Sequence, residues 1–339
     1  MRLELLKLVA SGAILGQSRA YAPTPESLEG GHCATMKREV AILGGGSSGT
    51  YTAIRLKDSG KSVVVIEAED ALGGHTVTYT DSVTGQRDEV GVVSFHDLDV
   101  VRDYFARLDI PLEAQVQATP NRTYFDFQSR RELKDYQLPD PAETFGGYYA
   151  QLLKYPELLE GFDKLPDSVP EDLLLPFGQF TEKYDIQDVV PIIALYGQGG
   201  IDYDQITTLY ILKYMGPSFM KGLDIGTLTT ARHNNHELYE AAYDALGSQN
   251  VLLNSSVSAA TRSDDGVQLH VVSANGSCVN IRAEKLVVSV APTLDKLSPL
   301  SLDKMESGLF QRFTNLSYFT SVGKEFLMLF FFLVASCSA

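Results

Sequence analysis

The chain has 339 residues, 44% hydrophobic and 21% charged, a globular composition long enough for two domains or for one nucleotide-binding domain carrying an inserted second one. A formal net charge of −15 and the lack of any basic run argue against nucleic acid and anionic membrane surfaces as partners. The scattered cysteines, Cys33, Cys278 and Cys337, exclude a zinc-ligand spacing and a disulfide framework, and leave room for one bridge whose pairing the sequence does not specify.

Residues 1–22 have the pattern of a secretory signal. Arg2 and Lys7 supply positive charge, residues 8–15 are a short apolar stretch, and Ala20-Tyr21-Ala22 fits a cleavage site. Glu4 and Ser11-Gly12 interrupt that pattern, so a frayed N-terminal helix is the alternative. Glycosylation sequons begin at Asn121, Asn254, Asn275 and Asn315, in keeping with a secretory route. Residues 23–37, with Pro23, Pro25, Gly30 and Gly31 and no apolar period, are predicted as a linker.

From residue 38 the pattern is α/β. Residues 40–43 form an apolar run without polar alternation, as in a parallel strand buried on both faces. A glycine loop follows, then a helix over 48–58 and a second buried strand over 62–66, which together make one βαβ unit. Strands are predicted at 76–80, 89–95 and 124–127, with a helix capped by Asp97 and running to Leu108. Between residues 141 and 220 the period becomes helical, with helices at 144–153, 176–184 and 206–215. Most of the aromatic residues in this stretch, Tyr148, Tyr149, Phe177, Phe180, Tyr184, Tyr196, Tyr203, Tyr210 and Tyr214, are expected to be core, and a few to line a cavity. An α/β pattern then returns: a helix over 236–246, and strands at 251–253, 257–262, 267–272, 278–281 and 286–290. The predicted division is 38–110 and 226–300 for two parts of a Rossmann-type nucleotide-binding domain, 111–225 for a mainly helical substrate domain inserted between them, and 301–339 for a further segment ending in an atypical apolar tail.

The chemistry concentrates in three places. Gly44-Gly45-Gly46-Ser47-Ser48-Gly49 satisfies G-x-G-x-x-G between a strand and a helix. Gly44 permits the turn, Gly46 lets a pyrophosphate approach the backbone, and Gly49 lets helix and strand pack closely. Ser47 and Ser48 stand where free amides of the helix N-terminus would meet the diphosphate. Glu67, with Ala68 beside it, ends the second strand, where a carboxylate can accept from both ribose hydroxyls and would repel a 2′-phosphate. Gly73-Gly74-His75 offers a second close approach to the same ligand, or else a plain turn.

The combination of glycine loop, acid and second glycine pair resembles the flavoprotein amine oxidase superfamily, whose pattern continues Gly-Gly-Arg-x-x-Ser/Thr. Here His75 replaces the arginine and Thr78 takes the hydroxyl position, so a side chain with fewer donors and no fixed charge stands beside the pyrophosphate. Glu89-Val90-Gly91-Val92-Val93 is similar to the segment that passes the flavin ring, with Gly91 and Val92 in the matching positions; Val257 falls on the strand whose backbone holds the adenine. Residues 286–292 are similar to the strand and Pro turn that leave the FAD domain. Within the superfamily the chain is similar to a fungal group of secreted flavoproteins that includes beta-cyclopiazonate dehydrogenase. The resemblance implies FAD as cofactor and hydride transfer from an amine-like or other small organic substrate to the flavin. It names no catalytic residue and no metal. Gln198 is a cavity candidate in a stretch that also reads as a glycine turn, and His233, His236 and His270 are expected to be surface or capping histidines.

Complete members of the superfamily carry a later Gly-Asp type segment and a last helix over the flavin, neither of which occurs here. Residues 325–335 form an apolar run too short for a bilayer, which needs ~20 residues. The expectation is unrelated sequence in place of a native C-terminal part; a short anchor or GPI signal and a buried strand or helix are the alternatives. Three functions follow: an FAD-dependent oxidoreductase, an NAD-dependent dehydrogenase using the same glycine loop, or an inactive truncated flavoprotein.

Overall fold

The computed structural model describes residues 33–115, 123–126, 128–159, 162–196, 202–203, 205–313, 320 and 322. The expected signal segment, Asn121, Gln198, Asn315, Cys337 and the apolar tail lie outside the described residues. In chain order the nucleotide-binding part opens with β1 (Ala34–Leu43), α1 (Ser47–Asp58) and β2 (Val63–Ile66), followed by the hairpin β3 (Thr78–Thr80) and β4 (Arg87–Glu89), then α2 (Asp99–Arg107). Strand β5 (Leu112–Gln115) and the small hairpin β6 (Phe125–Asp126) and β7 (Arg131–Glu132) lead into the helices α3 (Pro141–Leu152), α4 (Glu171–Leu174), α5 (Phe177–Tyr184), α6 (Val189–Tyr196), α7 (Thr208–Tyr214) and α8 (Pro217–Ile225). The chain returns through β8 (Thr227–Thr230), α9 (Glu237–Leu246), β9 (Val251–Leu252), β10 (Ser255–Ser263), β11 (Gly266–Ser273) and β12 (Cys278–Val288), and the short helices α10 (Leu294–Leu297) and α11 (Lys304–Phe310) follow.

The main sheet has the order β10-β11-β12-β1-β2-β9. Strands β12, β1, β2 and β9 are parallel; β11 pairs antiparallel with β12, and β10 pairs antiparallel with β11 at the edge of the sheet. The apolar runs lack polar alternation because both faces are covered. Val40, Ile42, Val63 and Val65 pack with Ile54, Phe105, Leu238 and Tyr239 from α1, α2 and α9. Ala41, Val64 and Ile66 point the other way, into a second cluster with Leu269, Ile281 and Leu297. All four residues of β2 are buried. Each such aliphatic side chain contributes about 1.5–3 kcal/mol.

Strand β1 starts at Ala34, ahead of residue 38, so residues 34–37 belong to the sheet rather than to the expected linker. The reason is a partner the sequence could not show: Ala34–Lys37 pair with Val279–Arg282 of β12. Cys33 closes this end by a disulfide to Cys278, with the Cα atoms 4.8 Å apart. Strand β12 is continuous through Arg282–Lys285, where a charged break was expected. Arg282, Glu284 and Lys285 are exposed while Ala283 is buried, so the charges sit on solvent and the ladder runs on. Helix α2 begins at Asp99 because the Asp97 carboxylate accepts from Arg102 Nε at 2.5 Å and caps nothing. The strand expected over 89–95 stops at Glu89, and Phe95 pairs instead with Leu228 of β8.

Helices α3 to α8 have their own core. Tyr148, Phe177 and Phe180 are fully buried, with Tyr148 and Phe177 centroids 6.4 Å apart at 87° and Phe177 and Phe180 stacked at 6.2 Å. The Tyr148 hydroxyl donates to the Met215 carbonyl at 3.0 Å, and burial pushes its pKa well above the ordinary phenol range. Tyr203 is also buried, and Tyr184 and Tyr196 pack against this core, as expected for most of the set, whereas Tyr149, Tyr210 and Tyr214 are exposed. Asp140 caps α3 by accepting from the Ala142 amide at 2.9 Å, with Pro141 in the first turn. This helical stretch leaves through β5 and returns through β8, and the two strands pair antiparallel from Leu112↔Thr230 to Gln115↔Thr227.

Candidate functional site

The site begins where β1 ends. Gly44 turns the chain at φ +104, a conformation an L side chain resists, and its amide donates to the Ile66 carbonyl at 2.9 Å. A Cβ on Gly49 would collide with the Gly44 carbonyl, so only glycine lets α1 start this close to the strand. Gly46 precedes α1 without a side-chain cap, and no acid occupies the first turn. The amides of Ser47, Ser48 and Gly49 therefore lack intrahelical acceptors and sum with the helix dipole into a positive pole. A Cβ added to Gly46 would meet only the Cα of Gly74, at 3.9 Å, so the space before the loop is open. Ser47 and Ser48 are exposed on that side.

Glu67 is held ready rather than left in solvent. Its Oε2 accepts from the Gly45 amide at 2.5 Å and its Oε1 from the Glu69 amide at 2.9 Å. A carboxylate has about four acceptor positions, so two remain for a ligand's hydroxyls. Ala68 beside it is exposed. The second glycine pair docks on the first loop: the Gly73 amide donates to the Gly45 carbonyl at 2.9 Å. Gly73 and Gly74 have φ of +127 and +55, and a Cβ on Gly74 would lie 3.1 Å from the Gly46 Cα. His75 is exposed at the edge of this turn.

Thr78, Glu89 and Gly91 each serve the local structure. The Thr78 hydroxyl donates to Glu89 Oε2 at 2.7 Å, and the Asn235 amide donates to Glu89 Oε1 at 2.7 Å. A Cβ on Gly91 would collide with the His75 carbonyl, which also accepts from the Val92 amide at 3.2 Å. The backbone of 91–93 is therefore laid against the second glycine turn. Val257 is 7% exposed, so only its main chain could meet a ligand; it lies on the edge strand β10, beside a register shift between Val257 and Ala259.

The sequence pattern missed the segment that binds these pieces together. Asn235 is fully buried, and its amide group donates to the carbonyls of Val92 at 2.9 Å and Val93 at 3.1 Å. His236, expected to be a surface or capping histidine, stands at the N-cap of α9 but makes no capping bond. Its ring lies over Gly73, 3.1 Å from where a Cβ would be, and its Nδ1 is 2.9 Å from the Thr76 carbonyl. Tyr239 reaches both Ser47 and Thr76. No local spacing signals this, because Thr76 and His236 are 160 positions apart. His233 is exposed with a left-handed φ of +48, and His270 pairs with Asn280 at 2.8 Å, both away from the loop. His96 Nδ1 lies 2.8 Å from Ser218 Oγ, linking the segment after Gly91 to α8, and burial pushes its pKa down. Among the described residues no group of three or more His, Cys, Asp or Glu could hold a metal ion, and no helix is long and apolar enough to cross a membrane.

An open glycine face, a positive helix end and an acid fixed beside them fit a dinucleotide. A family model described as flavin containing amine oxidoreductase matches residues 47–329. The FAD-dependent oxidoreductase oblC of Cochliobolus heterostrophus is 39% identical over 324 residues, covering 92% of this chain and 66% of its own length. Beta-cyclopiazonate dehydrogenase of Aspergillus oryzae is 35% identical over 291 residues, covering 85% and 62%. The chain thus spans 66% and 62% of the length of these curated relatives. Among solved structures, putrescine oxidase bound to putrescine has a TM-score of 0.61 at 22% identity, covering 82% of this chain and 64% of that one. Cyclohexylamine oxidase from Brevibacterium oxydans has a TM-score of 0.59 at 20% identity, covering 81% and 63%. These two likenesses establish the shared fold.

Proposed function

Because the chain belongs to the flavin containing amine oxidoreductase family, we propose that it is an FAD-dependent oxidoreductase acting on a small organic substrate, an amine or a compound of similar size. FAD is the cofactor of this family, and the residues present fit its ADP half. When bound, FAD supplies the hydride acceptor. The amides after Gly44 and Gly46, with Ser47, Ser48 and Gly49, hold the diphosphate. Glu67 accepts from the adenosine ribose, with Ala68 alongside. Gly73, Gly74 and His75 would hold the diphosphate from the second turn, Gly91 and Val92 would serve the flavin ring, and the Val257 main chain would serve the adenine. The helices from α3 to α8 would supply one wall around the substrate. No residue is nominated as acid or base.

The observation that carries this reading is Glu67, clamped by the Gly45 and Glu69 amides beside the open face of Gly46. Titration of the purified chain with FAD, followed by flavin fluorescence and by the visible spectrum, tests it. Saturable uptake that Gly46→Trp abolishes is the expected result, since the indole would fill that face. Uptake of NAD in place of FAD, or a Gly46→Trp chain that takes up FAD as well as the wild type does, overturns it.

Passage through the secretory pathway belongs to the same proposal. The Cys33–Cys278 bridge favours an oxidising compartment. Asn254 and Asn275, which begin two of the sequons, are both exposed, as glycan attachment requires.

A further inference from the structure

We infer that Tyr239 is a positioning residue for the diphosphate site: it turns the Ser47 hydroxyl into an outward-directed donor and ties the second glycine turn to the first. The inference rests on the cofactor reading above and deepens it.

Tyr239 is 1% exposed, with its ring in the core beside Ile54 and Leu238. Its hydroxyl has two neighbours, Ser47 Oγ at 2.9 Å and Thr76 Oγ1 at 3.2 Å. Thr76 is 2% exposed and donates to the Tyr239 oxygen. The single Tyr239 hydrogen then needs an acceptor, and a buried donor without one costs about 1–3 kcal/mol. Ser47 Oγ is the atom in place to accept it. With its acceptor side engaged, Ser47 keeps its own hydrogen directed away from Tyr239. Ser47 is exposed at the first position of α1, where the helix amides are also free. A side-chain donor and a helix N-terminus then converge on the open face of Gly46, an arrangement suited to phosphate oxygens.

Thr76 is fixed twice. Its hydroxyl engages Tyr239, and its carbonyl lies 2.9 Å from His236 Nδ1. A carbonyl only accepts, so Nδ1 carries the hydrogen. Thr76 in turn donates its amide to the Gly73 carbonyl at 3.0 Å. Thus α9 sets the spacing between the two glycine turns through one phenol and one imidazole.

The test is a double-mutant cycle on FAD affinity, with adenosine as the second probe and the thermal midpoint of the cofactor-free chain as the control. Tyr239→Phe removes only the hydroxyl. It should weaken FAD binding about tenfold, as for a lost hydrogen bond to a charged group, and leave adenosine binding within about twofold. Ser47→Ala should give a similar loss, and the double variant should lose little more than either single one. Tyr239→Phe that binds FAD within about twofold of wild type, or losses that simply add, overturns the inference while leaving the cofactor reading intact. A Tyr239→Phe loss shared equally by adenosine also overturns it, because that marks general loosening. A wild-type chain that takes up no FAD overturns the cofactor reading itself, and this inference with it.

Discussion

The nucleotide loop and the helical stretch are defined in opposite ways. Around residues 43–91 the structure depends on atoms that are missing: a Cβ on Gly49 collides with the Gly44 carbonyl, and one on Gly91 collides with the His75 carbonyl. Between α3 and α8 it depends on atoms that are present, above all the interlocked rings of Tyr148, Phe177 and Phe180. At Gly49 and Gly91 the backbone has no room for one more carbon, and the helical core has none to spare. The first region is built so that backbone can approach a ligand; the second fills space that nothing else fills.

Truncation in the helical core should give the largest effect. Tyr148→Ala is expected to cost about 3–5 kcal/mol in urea unfolding, and the comparison breaks if the cost is under about 1 kcal/mol. Addition in the loop comes next: Gly49→Ala adds one methyl against a backbone carbonyl and should cost about 1–3 kcal/mol, with reduced FAD uptake. An equally stable Gly49→Ala chain would show that α1 slides freely along β1. The smallest effect lies outside both regions, at Glu306 in the α11 capping box. Hydrogen bonding from Arg262, reinforced by the Asp303 backbone, holds the Glu306 carboxyl at about 2. A depressed acid stabilises the fold above its unfolded value of about 4.5, and that contribution disappears as pH falls through about 2. Arg262→Met should shift the loss to higher pH in an acid titration followed by far-UV circular dichroism. An unchanged profile would mean the pair contributes nothing.

What the sequence made legible follows the same division. The turns at residues 44–49 and 73–74 were readable because tight backbone turns and close backbone approaches leave glycines at fixed spacing. The fold class was readable because strands buried on both faces lose their polar alternation. Asn235, His236 and Tyr239 were not readable as site residues, since their roles arise from contacts with residues about 140 to 190 positions earlier. The Cys33–Cys278 pairing was equally hidden, because it depends on β1 and β12 being neighbours. The division of the aromatic residues into buried and exposed could not be read from composition, since a tyrosine suits either place.

The pairing of β5 with β8 has an evolutionary consequence. A long excursion whose two ends are zipped together at its base can gain or lose residues while the two anchoring strands keep their register.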